Sequence, residues 1–237
     1  LNPLDTIPVL FVDEALLVID KPAGVLSLPD GYDPSLPHLA TLLEPEYGRL
    51  WLVHRLDRDT SGVLVLARSA AAHHNLNDQF RERLVKKVYR ALVAPPPDWK
   101  SRSADFPLRK DGDRQHRTVV DTECGKPATT DFKVIERYAP AALLEARPHT
   151  GYTHQIRAHL RQLGCPLLAD ALYRLPESPV FDPPPIGRTA LHAYTISITH
   201  PISGETLVFK APQPADFETA MTRLRVQPVH NQGSWTI

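Results

Sequence analysis

Three short stretches of this chain carry side chains whose types and spacing can do chemistry. The first is His54-Arg55-Leu56-Asp57-Arg58-Asp59-Thr60-Ser61-Gly62. Asp57 is a carboxylate with two guanidiniums beside it, Arg55 and Arg58, and nearby positive charge favours the ionised form. Thr60, Ser61 and the backbone amides of the turn are placed to hold its oxygens. An ionised, oriented carboxylate on a loop is what attack on a sugar or an electron-poor base requires. The same residues also fit a structural salt bridge at the entrance to a strand. Asp59 is a second carboxylate that nothing local singles out.

The second stretch is His149-Thr150-Gly151-Tyr152-Thr153-His154-Gln155-Ile156-Arg157. Its polar residues lead into a helix N-terminus, where backbone N–H groups favour anions. His154, Arg157 and Arg161 fall on one helical face. A solvated basic face is the plainer reading. His149, His154 and His159 lack zinc spacing and no cysteine joins them, so no metal is expected. The third stretch is Lys86-Lys87-Val88-Tyr89-Arg90, where cations interleave with an aromatic ring. That combination suits phosphate contact with base stacking, although a lone strand tyrosine is more often simply part of a core.

These residues need elements to position them. Leu16 to Ile19 is a short apolar run and reads as a buried strand closed by Lys21-Pro22-Ala23-Gly24. His38 to Leu43 reads as a short helix. Gly62 to Ala67 is the second strong strand, which places Asp57 on the loop that enters it. Ser69 caps a helix with Ala72, Leu76 and Phe80 at four-residue spacing. Val88 to Val93, Thr129 to Glu136 and Ala142 to Arg147 read as strands, with a turn at Tyr138-Ala139-Pro140. Thr153 to Leu163 reads as a helix stopped by Gly164. Tyr194 to Thr199 and Thr206 to Lys210 form a hairpin around His200-Pro201-Ile202-Ser203-Gly204-Glu205. Residues 98–127 are polar, with a turn at Asp111-Gly112-Asp113, and 176–187 is a Pro-rich loop. Short strands with few helices imply an α+β fold.

The 237 residues suffice for a large core, and 42% hydrophobic with 23% charged is ordinary for a globular protein. Lysines and arginines balance acids at 27 each, so the net charge is zero. The distribution is uneven: residues 1–50 hold eight acids to two bases, and 51–120 hold fourteen bases to eight acids. A basic middle segment fits a phosphate-contacting face, and also a solvated surface. Cys124 and Cys165 make no disulfide framework. No apolar run approaches the roughly 20 residues of a membrane span, and the N-terminus lacks a signal-peptide pattern. A cytoplasmic protein is expected.

Taken in order along the chain, the motifs resemble those of the RluA-type pseudouridine synthases. The resemblance runs from about Ile7 to Phe217. It rests first on the block around Asp57. Asp20-Lys21-Pro22-Ala23-Gly24, Lys87-x-Tyr89-x-Ala91, Gly125-Lys126-Pro127-Ala128, His154-Gln155-Ile156-Arg157-x-His159, Leu191-His192-Ala193 and His200-Pro201 accompany it. Two departures stand out. Tyr152 follows Gly151 where the family usually has arginine, and Ala169 precedes Asp170 where the family has glycine.

The resemblance implies a pseudouridine synthase fold: a mixed, mostly antiparallel central sheet in two similar halves, flanking helices and a central cleft. It implies a single catalytic domain over residues 1–225, with a tail at 226–237. Asp57 would be the catalytic aspartate and Arg157 the arginine that pairs with it. Tyr89 would stack on the target base and assist proton removal, and Leu191 would line the pocket. Arg55 would occupy the space left by a flipped nucleotide, and His54 and His154 would join the substrate site. The reaction has no redox step, so no cofactor is expected. The partner would be RNA, a tRNA or rRNA stem-loop, and the enzyme a monomer away from any membrane. The short stretch ahead of Lys21-Pro22 suggests the compact subgroup without an N-terminal S4 domain, similar to the dual-specificity enzyme for tRNA and 23S rRNA. A large-subunit rRNA specialist, an inactive RNA-binding relative and a hydrolase using Asp57 with Asp59 are the alternatives.

Overall fold

The computed structural model describes residues 7–31, 33 and 35–226. Its centre is a ten-stranded sheet in the order β1-β2-β4-β11-β5-β10-β9-β6, with β12 beside β11 and β3 beside β4. The first group of strands is β1 (Val9–Val12), β2 (Leu16–Lys21), β3 (Trp51–Leu52) and β4 (Ser61–Ala67). The second is β5 (Lys86–Val93), β6 (Ser101–Asp105), β9 (Thr129–Arg137) and β10 (Ala142–Pro148). Between them lies β11 (Leu191–Thr199), which turns back into β12 (Thr206–Lys210). A separate two-stranded ribbon pairs β7 (Leu108–Arg109) with β8 (Val119–Val120).

Every pairing in the sheet is antiparallel except one. Strand β11 meets β4 in parallel over two residue pairs, His192 with Ser61 and Ala193 with Gly62. This short seam joins the two groups of strands. The close approach there requires glycine: Gly62 has φ 117°, and a Cβ on it would lie 2.2 Å from the Ala193 carbonyl oxygen. All seven residues of β4 are buried. That explains its nearly unbroken apolar sequence, since a strand covered on both faces shows no polar alternation.

Among the described residues, four helices flank the sheet: α1 (Leu39–Tyr47), α2 (Ala70–Arg81), α3 (Gln155–Gln162) and α4 (Ala215–Val226). Helix α2 starts where Ser69 Oγ accepts the Ala72 N–H at 3.1 Å, a cap that contributes roughly 1 kcal/mol. The expected α+β architecture, with a mixed, mostly antiparallel sheet and flanking helices, is the one observed.

Several local expectations need correction. Helix α1 does not stop at Leu43 but runs through Pro45 to Tyr47. Helix α3 begins at Gln155 rather than Thr153, because His154 adopts a left-handed backbone at φ 54°. The polar segment 98–127 contains β6, β7 and β8, whose strands are too short or exposed to show an apolar run. Strand β11 starts at Leu191, with an irregularity between Ala193 and Thr195 that breaks the alternation. Helix α4 was not expected, yet Phe217, Ala220, Met221 and Leu224 are buried at spacings of three, one and three, a legible helical stripe. Of the expected tail at 226–237, Val226 closes α4 and the remainder lies outside the described residues. Among the described residues, no helix is long and apolar enough to cross a membrane.

Candidate active site

The loop carrying Asp57 is fixed from both sides by cations, one buried and one half-buried. Lys21, fully buried at the end of β2, donates from Nζ to the carbonyls of Pro22, Val25 and Arg58 at 2.9, 2.8 and 3.1 Å. Burial pulls its pKa down to about 7, against the upward pull of Asp59 and Asp57. Arg188 holds the other side. It donates to the Asp59 carbonyl at 3.0 Å, to Ser61 Oγ at 3.1 Å and to the Asp216 carboxylate of α4. The turn itself closes with the Thr60 N–H donating to the Asp57 carbonyl at 3.1 Å. Lys21 sat inside a noted motif without an assigned task, and nothing local pointed to Arg188.

Asp57, Arg55, His54, Tyr89, His154, Arg157 and Leu191 all line one cavity of about 480 Å³. The cavity borders the β4–β11 seam at Thr60 and Leu191 and is lined also by the end of α2 and the N-terminal end of α3. The seven predicted site residues are therefore brought together. Their contacts differ from those expected from the sequence.

The flanking arginines do not pair with Asp57. Arg55 is exposed at the cavity rim, and Arg58 Nε donates to the Gly24 carbonyl at 3.3 Å. Nor do Thr60 and Ser61 supply hydroxyls to the carboxylate: Ser61 Oγ lies 3.0 Å from His192 Nδ1. The cation facing Asp57 comes from α3, with Arg157 Nη1 at 3.3 Å from Oδ2. His154 Nε2 stands 3.6 Å from the same oxygen. Arg157 also binds Asp170 at 2.7 Å through Nε and 2.8 Å through Nη2. Burial works to lower the Arg157 pKa, but the Asp170 hydrogen bond and the charges of Asp170 and Asp57 leave it above the ordinary guanidinium value.

Tyr89 stands on β5, which reaches the cavity through its pairing with β11. Burial first, then the Asp57 charge, raises the phenol well above its ordinary pKa. It offers a flat face and holds its proton. Lys87, two residues earlier on the same strand, donates to the Thr150 carbonyl at 3.2 Å, and burial lowers its pKa to about 8. His54 stacks on Phe80 with ring centroids 4.8 Å apart, and its Nε2 accepts the Val65 N–H at 3.0 Å. Burial, helped by the Lys87 charge, pushes His54 down to about 3, so it is a neutral ring anchored to β4. Leu191 is buried in the wall.

His154, Arg157 and Arg161 do share one face, as their spacing predicted, and that face holds the segment around Tyr173. His154 Nδ1 is 3.1 Å from the Tyr173 hydroxyl, and Arg161 donates to the Tyr173 carbonyl at 3.0 Å. The two departures from the family pattern have visible consequences. Tyr152 packs against the cluster of Leu108, Ala128, Ala158 and Tyr173 and brings no cation to its loop. Ala169 keeps a left-handed backbone at φ 55°, the shape that glycine adopts without strain. Among the described residues, no group of three or more His, Cys, Asp or Glu could hold a metal ion.

Residues 15–162 match the family model described as RNA pseudouridylate synthase. The chain is 40% identical over 210 residues to the dual-specificity RNA pseudouridine synthase RluA of Escherichia coli K12, covering 88% of this chain and 93% of that protein. It is 38% identical over 232 residues to the ribosomal large subunit pseudouridine synthase D of Neisseria meningitidis serogroup B, of which the match spans 61%. The structure of human RNA pseudouridylate synthase domain containing 4 superposes with a TM-score of 0.75 at 27% identity, covering 92% of this chain and 93% of the human one. The chain belongs to the RNA pseudouridylate synthase family.

Proposed function

We propose that this chain isomerises uridine to pseudouridine in a structured RNA, a tRNA or large-subunit rRNA stem-loop, with Asp57 as its catalytic carboxylate. The observation that carries the reading is the Asp57 carboxylate on the cavity wall, 3.3 Å from the Arg157 guanidinium and beside Tyr89 and Leu191. In this reaction the N1–C1′ bond breaks, the uracil turns, and C5 bonds to C1′. No electrons enter or leave, so the chemistry itself calls for no cofactor. Breaking the glycosidic bond builds positive charge at C1′. A carboxylate there can stabilise that charge, bond to the sugar or base, or take the 2′ proton.

The other roles follow from placement. Tyr89 and Leu191 provide an aromatic face and an apolar wall for the uracil. Arg55, exposed at the rim, fills the gap left when the nucleotide swings out of its stack, a step that costs a few kcal/mol. His154 faces the carboxylate, and His54 shapes the wall. The reading is of a cytoplasmic monomer acting without metal. The hydrolase alternative would need a second carboxylate over the scissile bond. Asp59 is exposed, and it forms no part of the cavity wall.

The test is Asp57→Asn. Pseudouridine should disappear from tRNA and rRNA mapped base by base after incubation, while RNA binding persists. Near-normal turnover by the variant would sink the assignment, and release of free uracil by the native chain would favour a hydrolase.

A further inference from the structure

Helices α2 and α3 end in the same kind of turn. At the end of α3 the Gly164 N–H donates to the Arg161 carbonyl and the Cys165 N–H to the Leu160 carbonyl, both at 3.0 Å. At the end of α2 the Arg83 N–H donates to the Phe80 carbonyl at 3.2 Å, and the Leu84 N–H to the Gln79 carbonyl at 2.9 Å. Such a turn needs one left-handed residue just past the helix, a place usually taken by glycine. The chain puts Gly164 there in α3, at φ 75°, but Arg83 in α2, at φ 60°. An L side chain in that region is strained, because its Cβ crowds the following carbonyl oxygen. Little packing offsets the strain: Arg83 is exposed, and Leu84 after it is 59% exposed.

The side chain supplies a reason to keep it. Arg83 lines the cavity that holds Asp57, on the turn that leads from α2 into β5 and so to Lys87 and Tyr89. Among the described residues, no acid or carbonyl takes up its guanidinium. The neighbouring acids, Asp78 and Glu82, stand 2.7 and 3.8 Å from Arg81 instead. A residue held in a sparsely populated backbone region points to a functional constraint. A free guanidinium presents a planar fork of N–H donors that fits a phosphate. A uridine swung into the cavity leaves its flanking phosphates at the mouth, because only the nucleotide enters the pocket. Glycine would close the turn with less strain and leave that part of the rim without its unpaired charge.

We propose that Arg83 grips a phosphate of the RNA backbone beside the uridine seated in the cavity, and that the chain keeps arginine at this glycine-favouring position for that contact. The proposal deepens the functional reading above and rests on it. It makes stability and RNA affinity respond to one substitution with opposite signs. Arg83→Gly removes the strain and the charge together. Arg83→Ala removes the charge and keeps the strain, and Arg83→Lys keeps both charge and strain.

The experiment compares the native chain with these three variants. Urea unfolding gives stability, binding to bulk tRNA over a salt series gives affinity, and turnover is followed on one RNA stem-loop that the native chain modifies. Arg83→Gly should raise the urea midpoint and yet weaken RNA binding about fivefold or more. Arg83→Ala should lose the same affinity with no gain in midpoint. In both, the slope of log affinity against log salt should shrink by about one, as for one lost phosphate contact. KM should rise with the loss of affinity while kcat stays within about threefold, since the contact is made equally before and during the reaction. Arg83→Lys should keep most of the affinity. Native-like binding by Arg83→Gly, a loss confined to only one of Arg83→Gly and Arg83→Ala, Arg83→Lys binding no better than Arg83→Ala, or a fall in kcat at unchanged KM would each overturn the proposal. A native chain that forms no pseudouridine on any cellular RNA would instead overturn the functional reading, and the binding and salt series would still decide whether Arg83 holds a phosphate.

Discussion

Gly62→Ala tests whether the β4–β11 seam sets the catalytic geometry. A Cβ at this position would sit 2.2 Å from the Ala193 carbonyl oxygen and 2.7 Å from its carbon and nitrogen. Ordinary contact begins at 3.4 Å, so the backbone of β11 must withdraw by about 1 Å. Two costs add. A non-glycine residue at this φ carries roughly 1–3 kcal/mol of backbone strain. Loosening the two-residue parallel pairing loses about 2 kcal/mol, at about 1 kcal/mol per hydrogen bond. The sum is roughly 3–5 kcal/mol, a large share of the about 5–15 kcal/mol that holds a domain folded. Asp57 lies on the β4 side of the seam and Tyr89 on the β5 side, so widening it separates them. A displacement of about 1 Å costs on the order of 100-fold in rate. Gly24→Ala is the internal control. Gly24 also has a positive φ, 89°, but nothing lies within 4 Å of its Cβ position, so only the strain applies. Urea unfolding gives the stabilities and pseudouridine formation gives the rates. The reasoning is refuted if Gly62→Ala costs no more stability than Gly24→Ala and keeps kcat within about threefold of native.

Two further predictions follow from strain and burial. Ala169→Gly should stabilise the chain by roughly 0.5–1 kcal/mol, because the left-handed cost of about 1–2 kcal/mol at φ 55° exceeds the flexibility that glycine adds to the unfolded chain; a lower urea midpoint would contradict this. His192 is fully buried, and burial and then Arg188 lower its pKa to about 4 against opposing pulls from the Ala211 carbonyl and Asp216. Between that value and the unfolded value of about 6.5, the unfolded chain binds a proton that the native chain refuses, so stability falls as pH falls. His192 alone should cost ~2 kcal/mol between pH 6.5 and 5, at about 1.4 kcal/mol per unit, and His192→Asn should show a correspondingly smaller drop in urea midpoint over that range; an equal drop in both proteins would rule out His192 as the source.

Much of the fold was legible because its signals are local. The apolar runs of β2 and β4 mark buried strands, and Ser69 starts α2 where a side-chain cap was expected. Helix α4 was missed: Phe217, Ala220, Met221 and Leu224 fall at helical spacing, but the weak amphipathic contrast of the segment hid it. Strands β7 and β8 were not, since two-residue strands have no periodicity to read. The start of α3 depended on the left-handed turn at His154, which residue type alone does not announce.

For the site, the sequence determined the membership: Asp57, Tyr89, Arg157 and Leu191, each within a motif, together with the rim and wall residues Arg55, His54 and His154. The tertiary structure decided the partners. Asp57 has arginines one and two residues away, yet the guanidinium that faces it lies 100 positions along the chain. Sequence neighbours on a turn point in different directions, and a charge pair forms only where the backbone brings two side chains within a few ångströms. The parallel seam between β4 and β11 does this, by laying the Asp57 loop beside strands that carry Tyr89 and Leu191. The order of preference at Arg157, Asp170 before Asp57, arises in the same way. It depends on which carboxylate meets the two-donor edge of the guanidinium, and only the folded arrangement of α3 and the 170–173 turn sets that.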